Sequence, residues 1–587
     1  MTQRKPDDQA RMPRQIPFII ANEGCERFSF YGMRNILTPF LMTFLLVQAY
    51  PDLTDRGDAA KEVFHTFVMG VYFFPLLGGW LADRFLGKYN TILWFSLIYC
   101  GGNACLATAG ANIDQFYLGL FLISLGSGGI KPLVASFMGD QFDSRNKHLA
   151  KLVFDAFYWI INFGSFFASL LMPLFLRQLG PRWAFGIPGG LMFIATIVFW
   201  LGRKRYVMVP VAPKNPNSFA RVVRAALLAQ PAGAGRTGFY IAVAGLALAA
   251  VAFTLGVLEL VAPEVLLDLG VPWSLAVVPS LCLALVILVS FGGVGTALQL
   301  ERARGAHTDE AVDGVRAVLG ILIVFALVTP FHSLFDQKAT TWVLQGGDMI
   351  SPSWDFDLGS WGVWVLDFQP AQMQAWNPLF VMILIPLNNL LLYPWLRSKG
   401  WEPTSLRRMT LGIAFAGFAW IAAGVLQLVI DGGDKISIMW QIAPYILLTF
   451  GEVLVSATGL EFAYSQAPLA MKGVIMSFWN LTTTIGNLWV LLVNAGVRND
   501  AVLSRIEDTG LSQTAFLMFF FAGFAFAATA VFKLYTRRYK LLDNYRRVDD
   551  KGAAAAGAAS VRPEDAQPLP AARVHKDDAK DDAKDDA

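Results

Sequence analysis

The stretch EGCERFSFYGMR, residues 23–34, lies inside an apolar run that extends from about residue 16 to residue 47. It carries four full charges, on Glu23, Glu26, Arg27 and Arg34. On a helix, Glu23, Arg27, Tyr31 and Arg34 fall at i, i+4, i+8 and i+11, so they share one face. A charge at the centre of a bilayer costs roughly 2.5–3.5 kcal/mol on insertion scales. We therefore expect this face to line a protein interior or a water-filled cavity within a membrane.

The composition of the whole chain supports a membrane location. Of its 587 residues, 55% are hydrophobic and only 16% are charged, where a soluble protein carries about 25% charged residues. Apolar runs of about 20 residues recur along the chain, which is typical of a polytopic helical membrane protein. The net charge of +3 gives no indication of a nucleic-acid partner. The four cysteines lie in apolar stretches without metal-ligand spacing, and they predict packing residues rather than a disulfide framework.

The apolar runs predict fourteen membrane spans. Their approximate limits are 16–48, 63–83, 91–110, 115–138, 151–177, 184–201, 237–260, 273–299, 317–342, 372–396, 409–430, 438–466, 472–496 and 513–535. With the N-terminus inside, the segments on that side hold about 31 Lys and Arg residues without the C-terminal tail, and the other side about 7, an asymmetry that follows the positive-inside rule. We therefore expect both termini in the cytoplasm, no cleaved signal peptide, and a place in the inner (plasma) membrane.

The spans divide into six, two and six. The middle two are almost uniformly aliphatic and follow a basic linker, which favours an inserted hairpin at the periphery of two six-helix bundles. Two such bundles around a midplane site are typical of transporters. The expected domains are an N-terminal segment, a first bundle, a basic linker, the hairpin, a second linker, a second bundle and a disordered tail: 1–15, 16–201, 202–236, 237–299, 300–316, 317–540 and 541–587.

Four further ionisable groups lie in apolar spans. They are Lys131, Asp336, Lys338 and Glu452. The bases cluster in the first half, apart from Lys338, and an isolated acid lies in the second half. A cavity with a basic wall facing an acidic wall suits a zwitterion, and it also suits salt bridges that form and break between two states. The structural alternative is that these charges are buried ion pairs that fix helix register.

Other polar and aromatic side chains in the spans are candidates for the same cavity. A polar residue in a membrane helix often only bonds a neighbouring helix, and an aromatic one can belong to the core or the interface belts. His65, near the outer face, is better explained as a surface or packing residue than as a proton sensor. The candidates are Tyr31, Tyr72, Tyr158, Asn162, Trp342, Asn377, Ser456 and Trp479.

A gating motif follows the second span. Residues 78–88 read GGWLADRFLGK, and Asp83 and Arg84 fall at the membrane edge, where they can pair with a neighbouring helix in one conformation only. This pattern resembles the loop signature of the major facilitator superfamily. Asp336 and Lys338 are i, i+2 and point to different faces, so each is expected to pair with another helix, Lys338 in a gating role.

Motifs for chemistry are missing from the sequence. No nucleophile motif, metal cluster or phosphate loop is present, since the glycines at 126–129 lack Walker spacing. We expect no enzyme activity, no metal and no cofactor.

Taken together, the motifs resemble the proton-dependent oligopeptide transporter family, a branch of the major facilitator superfamily. The residues that carry the resemblance run from about 16 to 540: Glu23-x-x-Glu26-Arg27-Phe28, Lys131-Pro132 with Asp140-Gln141-Phe142, Phe157-Tyr158-Trp159 through Ser165, Phe335-Asp336-Gln337, Thr341-Trp342, Asn377-Pro378, and Gly451-Glu452-Val453 through Pro468. One departure is Lys338-Ala339-Thr340, where many relatives carry Gln-Gly-Ser, and the extra cation could alter the pairing of Asp336.

The resemblance implies proton-coupled import of di- and tripeptides by alternating access. It implies that Arg27, Arg34 and Lys131 hold the peptide carboxylate, that Glu452 holds the amino terminus, and that Asn162 and Asn377 hold the backbone. Glu23, Glu26 and Asp336 would carry the proton, and the aromatic candidates would line side-chain pockets. The partners would be peptide, protons and the lipid bilayer, with no nucleic acid and no obligate protein partner. Alternatives are a transporter of another small solute such as nitrate, or a membrane scaffold or sensor without flux.

Overall fold

The structure, a computed structural model, describes residues 12–142, 147–209, 216–229, 235–261, 277–357, 363–466 and 472–539. The predicted tail and most of the predicted N-terminal segment lie outside these residues.

The first bundle is built from six membrane-crossing elements, one of which bends in its middle. Its helices are α1 (Ile16–Phe40), α2 (Leu53–Phe73), α3 (Pro75–Leu81), α4 (Gly87–Thr108), α5 (Ile113–Gly139), α6 (Lys147–Leu179) and α7 (Pro181–Leu201). α2 begins ten residues before the predicted start at 63, because the Asp52 side chain caps it by accepting from the backbone N–H groups of Thr54 and Asp55. α2 and α3 together make one crossing, bent where Pro75 follows Phe74.

The connection between the bundles contains three helices. They are α8 (Phe219–Leu228), α9 (Thr237–Val261) and α10 (Val277–Gln299). α8 lies within the segment predicted as a basic linker. α9 and α10 form an antiparallel helical pair in tight contact, since a Cβ on Gly238 would collide with the carbonyl oxygen of Gly295.

The second bundle contains the remaining elements. They are α11 (Asp309–Asp336), α12 (Thr341–Gly347), strands β1 (Ser353–Asp357) and β2 (Val363–Asp367), α13 (Trp376–Leu387), α14 (Tyr393–Ser398), α15 (Ser405–Asp431), α16 (Ile442–Glu452), α17 (Thr458–Gln466), α18 (Lys472–Val497), α19 (Asp500–Glu507) and α20 (Gln513–Thr536). β1 and β2 pair antiparallel with Ser353 opposite Asp367. α11 begins inside the predicted second linker, with Asp309 and Glu310 in its first turn, where acidic side chains favour a helix start.

The alternating helices give the bundles two ends. We call the end that carries β1 and β2 the β face, and the end that carries α8 the linker face. The apolar core is divided accordingly into two main clusters, one per bundle. Ala339 of the second half belongs to the first bundle's cluster, so the bundles interlock near the β face.

The long apolar helices correspond to most of the fourteen predicted spans. Eleven helical stretches of the described residues are long and apolar enough to cross a bilayer, and one of these, Leu53–Thr108, covers two predicted spans. α1 and α18 fall outside that set because of the charges of α1 and the amides and threonines of α18. With the double stretch counted as two crossings and these two helices included, the described helices are consistent with the fourteen predicted spans. Both of these more polar crossings contribute residues to the cavity between the bundles.

Candidate functional site

A cavity of about 230 Å³ lies between the two bundles. Ten of its lining residues are polar or aromatic groups singled out by the sequence: Tyr31, Arg34, Tyr72 and Asn162 from the first bundle, and Asp336, Lys338, Asn377, Glu452, Ser456 and Trp479 from the second. The structure therefore brings together side chains that are up to 448 positions apart (Trp479 minus Tyr31).

The second bundle's wall holds a short hydrogen-bonded chain of charged and amide groups. Lys338 donates through Nζ to Asn377 Oδ1 at 2.7 Å, and Asn377 donates through Nδ2 to Glu452 Oε2 at 2.6 Å. The Lys338 ammonium also lies 3.4 Å from the ring centroid of Phe335. A cation and an anion are thus linked through one amide, and each has a hydrogen-bond partner within the second bundle.

Local backbone irregularities position these groups. α16 ends at Glu452, and a π-helical turn over Val453–Ala457 follows it directly; such turns widen a helix and recur at functional sites. α11 ends at Asp336, and a single 3₁₀ turn precedes α12, with Thr340 at φ −121° and ψ −81°. This break turns Asp336 and Lys338 toward different partners.

On the first bundle's side, the charges of α1 form a compact cluster. Arg27 donates through Nε to Glu23 Oε1 at 2.6 Å, and the same nitrogen lies 3.1 Å from Glu26 Oε2. Both glutamates are fully buried. Neither oxygen of Glu26 has a hydrogen-bond donor among the described residues, so its paired charge is incompletely solvated.

Arg34 belongs to a second network that crosses between the bundles. It donates through Nη2 to Asp336 Oδ1 at 2.6 Å, and Asn487 donates through Nδ2 to Asp336 Oδ2 at 2.8 Å. His65 donates through Nδ1 to Asn487 Oδ1 at 2.6 Å, because an amide oxygen can only accept. Its Nε2 lies 3.2 Å from the Thr340 hydroxyl. The chain from Arg34 to His65 ties α1 and α2 to α11 and α18.

Further contacts join the bundles toward the β face. Thr38 donates to the carbonyl oxygen of Ala339 at 2.8 Å, which the helix break leaves free. Arg177 forms an ion pair with Asp367 of β2, and the Ser353 hydroxyl and this guanidinium hold the pKa of Asp367 below its usual range. Arg498 pairs with Glu62 at 3.0 Å.

The other predicted site residues do not line the cavity in this conformation. Lys131 lies behind Tyr72, its ammonium 4.6 Å from that ring centroid and 3.6 Å from the Phe30 ring. Trp342 lies in the second bundle's core, edge-on to Tyr445, and Tyr158 is 44% exposed on α6.

The residues of the gating motif lie at the linker face. Asp83 and Arg84 are exposed there on a π-helical turn. Close helix contact occurs beside them, since a Cβ on Gly78 would collide with the carbonyl oxygen of Gly128 on α5.

The sequence does not single out two participants in these networks. Asn487 is not among the predicted site residues, although an amide within an apolar span is a usable signal. For His65 the sequence favours a surface or packing role, because the predicted helix begins near it. The helix begins twelve residues earlier, at Leu53, which carries His65 into the protein interior.

Within the residues that the structure describes, no group of three or more His, Cys, Asp and Glu side chains is arranged to hold a metal ion.

Two helical bundles around a charged central cavity define a membrane transporter of the major facilitator fold, not an enzyme. A family model described as the POT family matches residues 89–236 and 293–502. The chain belongs to this family.

Relatives of known structure are close. The chain is 63% identical to an auto-inhibited POT family peptide transporter, with a TM-score of 0.84 over 91% of this chain and 99% of that one. It is 59% identical to the POT family transporter PepTSo, with a TM-score of 0.83 over 91% and 100% of the two chains.

Animal relatives are more distant. The mouse (Mus musculus) solute carrier family 15 member 2 is 31% identical over 72% of this chain and 50% of its own length. The rabbit (Oryctolagus cuniculus) solute carrier family 15 member 1 is 28% identical over 71% and 52%. The chain therefore matches about half the length of these relatives.

Proposed function

We propose that this protein imports di- and tripeptides together with protons by alternating access. The observation that carries the proposal is the distribution of charge around the cavity. Arg34 lies on the first bundle's wall and Glu452 on the second bundle's wall. A peptide of unspecified side chains offers only its two charged termini and its amides for recognition, and charged termini need charge-assisted partners to offset desolvation.

The peptide's termini are assigned to these two walls. The carboxylate is bound by Arg34, with Arg27 and Lys131 contributing to the basic side, and the ammonium is bound by Glu452. Arg34 already pairs with Asp336, and Glu452 with Asn377. An incoming peptide therefore replaces these internal partners with its own carboxylate and ammonium groups. The close relatives are described as peptide transporters, which supports the same substrate class.

The backbone and side chains of the peptide are assigned to the remaining lining. Asn162 and Asn377 bond its amide, and the aromatic side chains and Ser456 form roomy side-chain pockets.

The proton is assigned to Glu23 and Glu26, with Asp336 contributing. A buried carboxylate without a hydrogen-bond donor is costly as an anion, and taking up a proton removes that cost. Neutralising Glu26 weakens its hold on the Arg27 guanidinium, which is then available to the peptide carboxylate. No cofactor takes part, since the proton gradient supplies the driving force.

The conformation and its orientation follow from the contacts between the bundles. The hydrogen bonds that cross from Arg34, Thr38 and His65 cluster toward the β face. The positive-inside asymmetry assigns the linker face and both termini to the cytoplasm of a cell with the protein in its plasma (inner) membrane. The β face is then the outer gate in its closed state, and transport requires that gate to open.

The test uses purified protein in liposomes and labelled dialanine. We expect uptake that rises with an inward proton gradient and that collapses with an ionophore. Glu452→Gln should weaken the apparent affinity for dialanine about ten-fold or more, because a hydrogen bond to a charged group contributes about 1.5–3 kcal/mol. For N-acetylated dialanine, which lacks the ammonium, the same substitution should reduce the apparent affinity much less.

Glu402→Gln is the matched control, since Glu402 is exposed at the linker face and pairs with Arg397. Equal losses for free and acetylated peptide in Glu452→Gln would contradict its role as the amine partner. Gradient-independent uptake by the unmodified protein would contradict proton coupling.

A further inference from the structure

An apolar groove of about 390 Å³ lies outside the central site, between α8, the helical pair α9–α10 and the second bundle. Phe219 of α8, Val243 of α9, Gly292 of α10 and Leu319 of α11 contribute to its wall. The one hydroxyl in the wall, on Thr296, is already satisfied by the carbonyl oxygen of Gly292 at 2.6 Å. Val243 is 43% exposed, so the groove opens toward the membrane rather than into the protein.

The groove extends inward from the linker face over about one leaflet. Its α9 residues run from Phe239 to Leu246, which is about 10 Å along a helix, against about 15 Å for half of the hydrocarbon core. At greater depth the helical pair contacts protein directly, since Cys282 of α10 packs with Met69 of α2 and Leu488 of α18. The groove is therefore the part of this junction that the protein leaves unfilled.

α8 closes the linker end of the groove and presents three different faces. Val222 is buried against the second bundle's core, and Phe219 and Val223 line the groove. Arg221 and Arg224 are exposed on the side away from that core. A short helix with one apolar face toward lipid and cations toward water is typical of the membrane interface.

The cations of α8 are not balanced by neighbouring acids. Four acids lie close in sequence to the segment that α8 packs on. Arg304 and Arg316 pair with three of them, Glu301, Asp309 and Asp313, and the fourth, Glu310, is exposed. In the part of the chain that the structure describes, Arg221 and Arg224 form no ion pair. The mouth of the groove is left positively charged.

We propose that this groove binds one anionic phospholipid. An acyl chain fills the apolar wall between the helical pair and the second bundle, and the phosphate group is bound by Arg221 and Arg224 at the linker face. Hydrocarbon matches a groove whose polar groups are all satisfied, and a negative headgroup matches its unbalanced cations. The inserted helical pair, absent from a plain arrangement of two bundles, thereby forms a lipid site.

The experiment measures lipid retention on the purified full-length protein by native mass spectrometry. Dioleoyl phosphatidylglycerol is titrated against dioleoyl phosphatidylcholine, which has the same chains and no net charge. We expect one phosphatidylglycerol to bind more tightly than any phosphatidylcholine. Arg221→Gln with Arg224→Gln should weaken that binding more than ten-fold, since each cation near a membrane surface contributes about a factor of five.

Two matched pairs of variants separate the groove from general effects. Gly292→Leu fills the groove, because a Cβ there meets no atom within 4 Å, and Gly523→Leu makes the same change at an equally open position on α20. Only Gly292→Leu should abolish the tight binding of one phosphatidylglycerol molecule. Lys204→Gln with Arg205→Gln removes two exposed charges from the end of the first bundle and should have no effect.

The proposal is overturned if the two lipids bind equally, or if Gly292→Leu and Gly523→Leu bind phosphatidylglycerol equally well. It is also overturned if the two double-charge variants lose the lipid to the same extent. Gel filtration and the thermal unfolding temperature check that each variant is folded. If Gly292→Leu does not fold, the arginine pair decides, because both of its residues lie at the surface.

Discussion

Two charged clusters on one helix, α1, are connected in opposite ways. Glu23 and Glu26 both pair with Arg27, within about one turn of the helix. Arg34, two turns further on, pairs with Asp336, which lies 302 positions away in the other bundle. Both clusters are buried, and both consist of carboxylates and guanidinium groups.

The two clusters differ in whether their ion pairs change when the bundles move relative to each other. A pair within one helix keeps its geometry when the bundles rotate, so only proton or ligand binding changes it. A pair between bundles exists only while the bundles meet at the β face, so it contributes directly to the equilibrium between two states. A bistable element of this kind is what a coupled transporter requires. In the proposed cycle the first cluster binds the proton, and the ion pair of the second cluster forms only when the β face is closed.

The largest effect is expected from Asp336→Asn, which leaves Arg34 buried without its anion. Removing one partner of a buried pair costs about 3–5 kcal/mol, and here the cost falls only on the state with the β face closed. The equilibrium should therefore shift by more than about a hundred-fold toward an open β face. Spin labels at Leu53→Cys and Val502→Cys, with the four native cysteines replaced, report this as a longer distance.

Asp348→Asn is the control for this change, because Asp348 lies near the same face and belongs to the second bundle alone. A distance distribution that is unchanged in Asp336→Asn would show that the ion pair does not hold the face closed.

Glu26→Gln is expected to have the second effect, on coupling rather than on conformation. It removes a carboxylate that pairs within α1, so the label distance should stay the same. Accumulation of dipeptide driven by a proton gradient should fall from roughly fifty-fold per proton at 100 mV, equivalent to about 2.3 kcal/mol, to no accumulation. Peptide exchange across the membrane without a gradient should persist.

Glu402→Gln, an exposed glutamate at the linker face, serves as the control for Glu26→Gln. If Glu26→Gln still accumulates peptide against its gradient, the proton is carried elsewhere.

The same contrast explains how far the sequence could lead. The pairing of Glu23 with Arg27 follows from helical spacing, and the two-bundle fold with an inserted helical pair follows from the length and order of apolar runs. The partner of Arg34 does not, since no local rule connects residues in different bundles. Nothing in the period of α12 indicated that Trp342 packs into the core, and the position of Lys131 behind Tyr72 depends on tertiary packing.

Two of the differences between the structure and the sequence-based expectations arise where helices or strands begin and end. The Asp52 cap extends α2 and buries His65, and the β-hairpin forms within a connector, 344–371, that carries no membrane-span signal. Both features lie at the β face, where the bundles meet. The sequence was therefore least informative at the proposed gate, and most informative within each bundle.

The third prediction concerns a contact within the first bundle. Gly78→Ala places a methyl group against the backbone of Gly128, and overpacking of this kind costs about 1–3 kcal/mol. Gly79→Ala, one residue on, meets no atom within 4 Å and should be neutral or gain up to about 1 kcal/mol from helix propensity. Thermal unfolding followed by tryptophan fluorescence should separate the two variants in opposite directions.

Because this contact does not cross between the bundles, the label distance at the β face should be unchanged in both glycine variants. Equal unfolding temperatures for the two would show that the helices relax around the added methyl group.

The smallest effect is expected from the exposed pair between Arg498 and Glu62. It crosses between the bundles as Arg34–Asp336 does, but its side chains are 50% and 44% exposed. Exposed ion pairs contribute about 0–1 kcal/mol. Arg498→Ala should therefore change the ratio of open to closed populations, measured from the label distances, by less than about five-fold. Added salt should reduce even this change. A double-mutant cycle with Glu62→Ala isolates the coupling of the pair. A coupling as large as that of the buried pair would mean that crossing between the bundles, and not burial, determines how strongly a contact closes the β face.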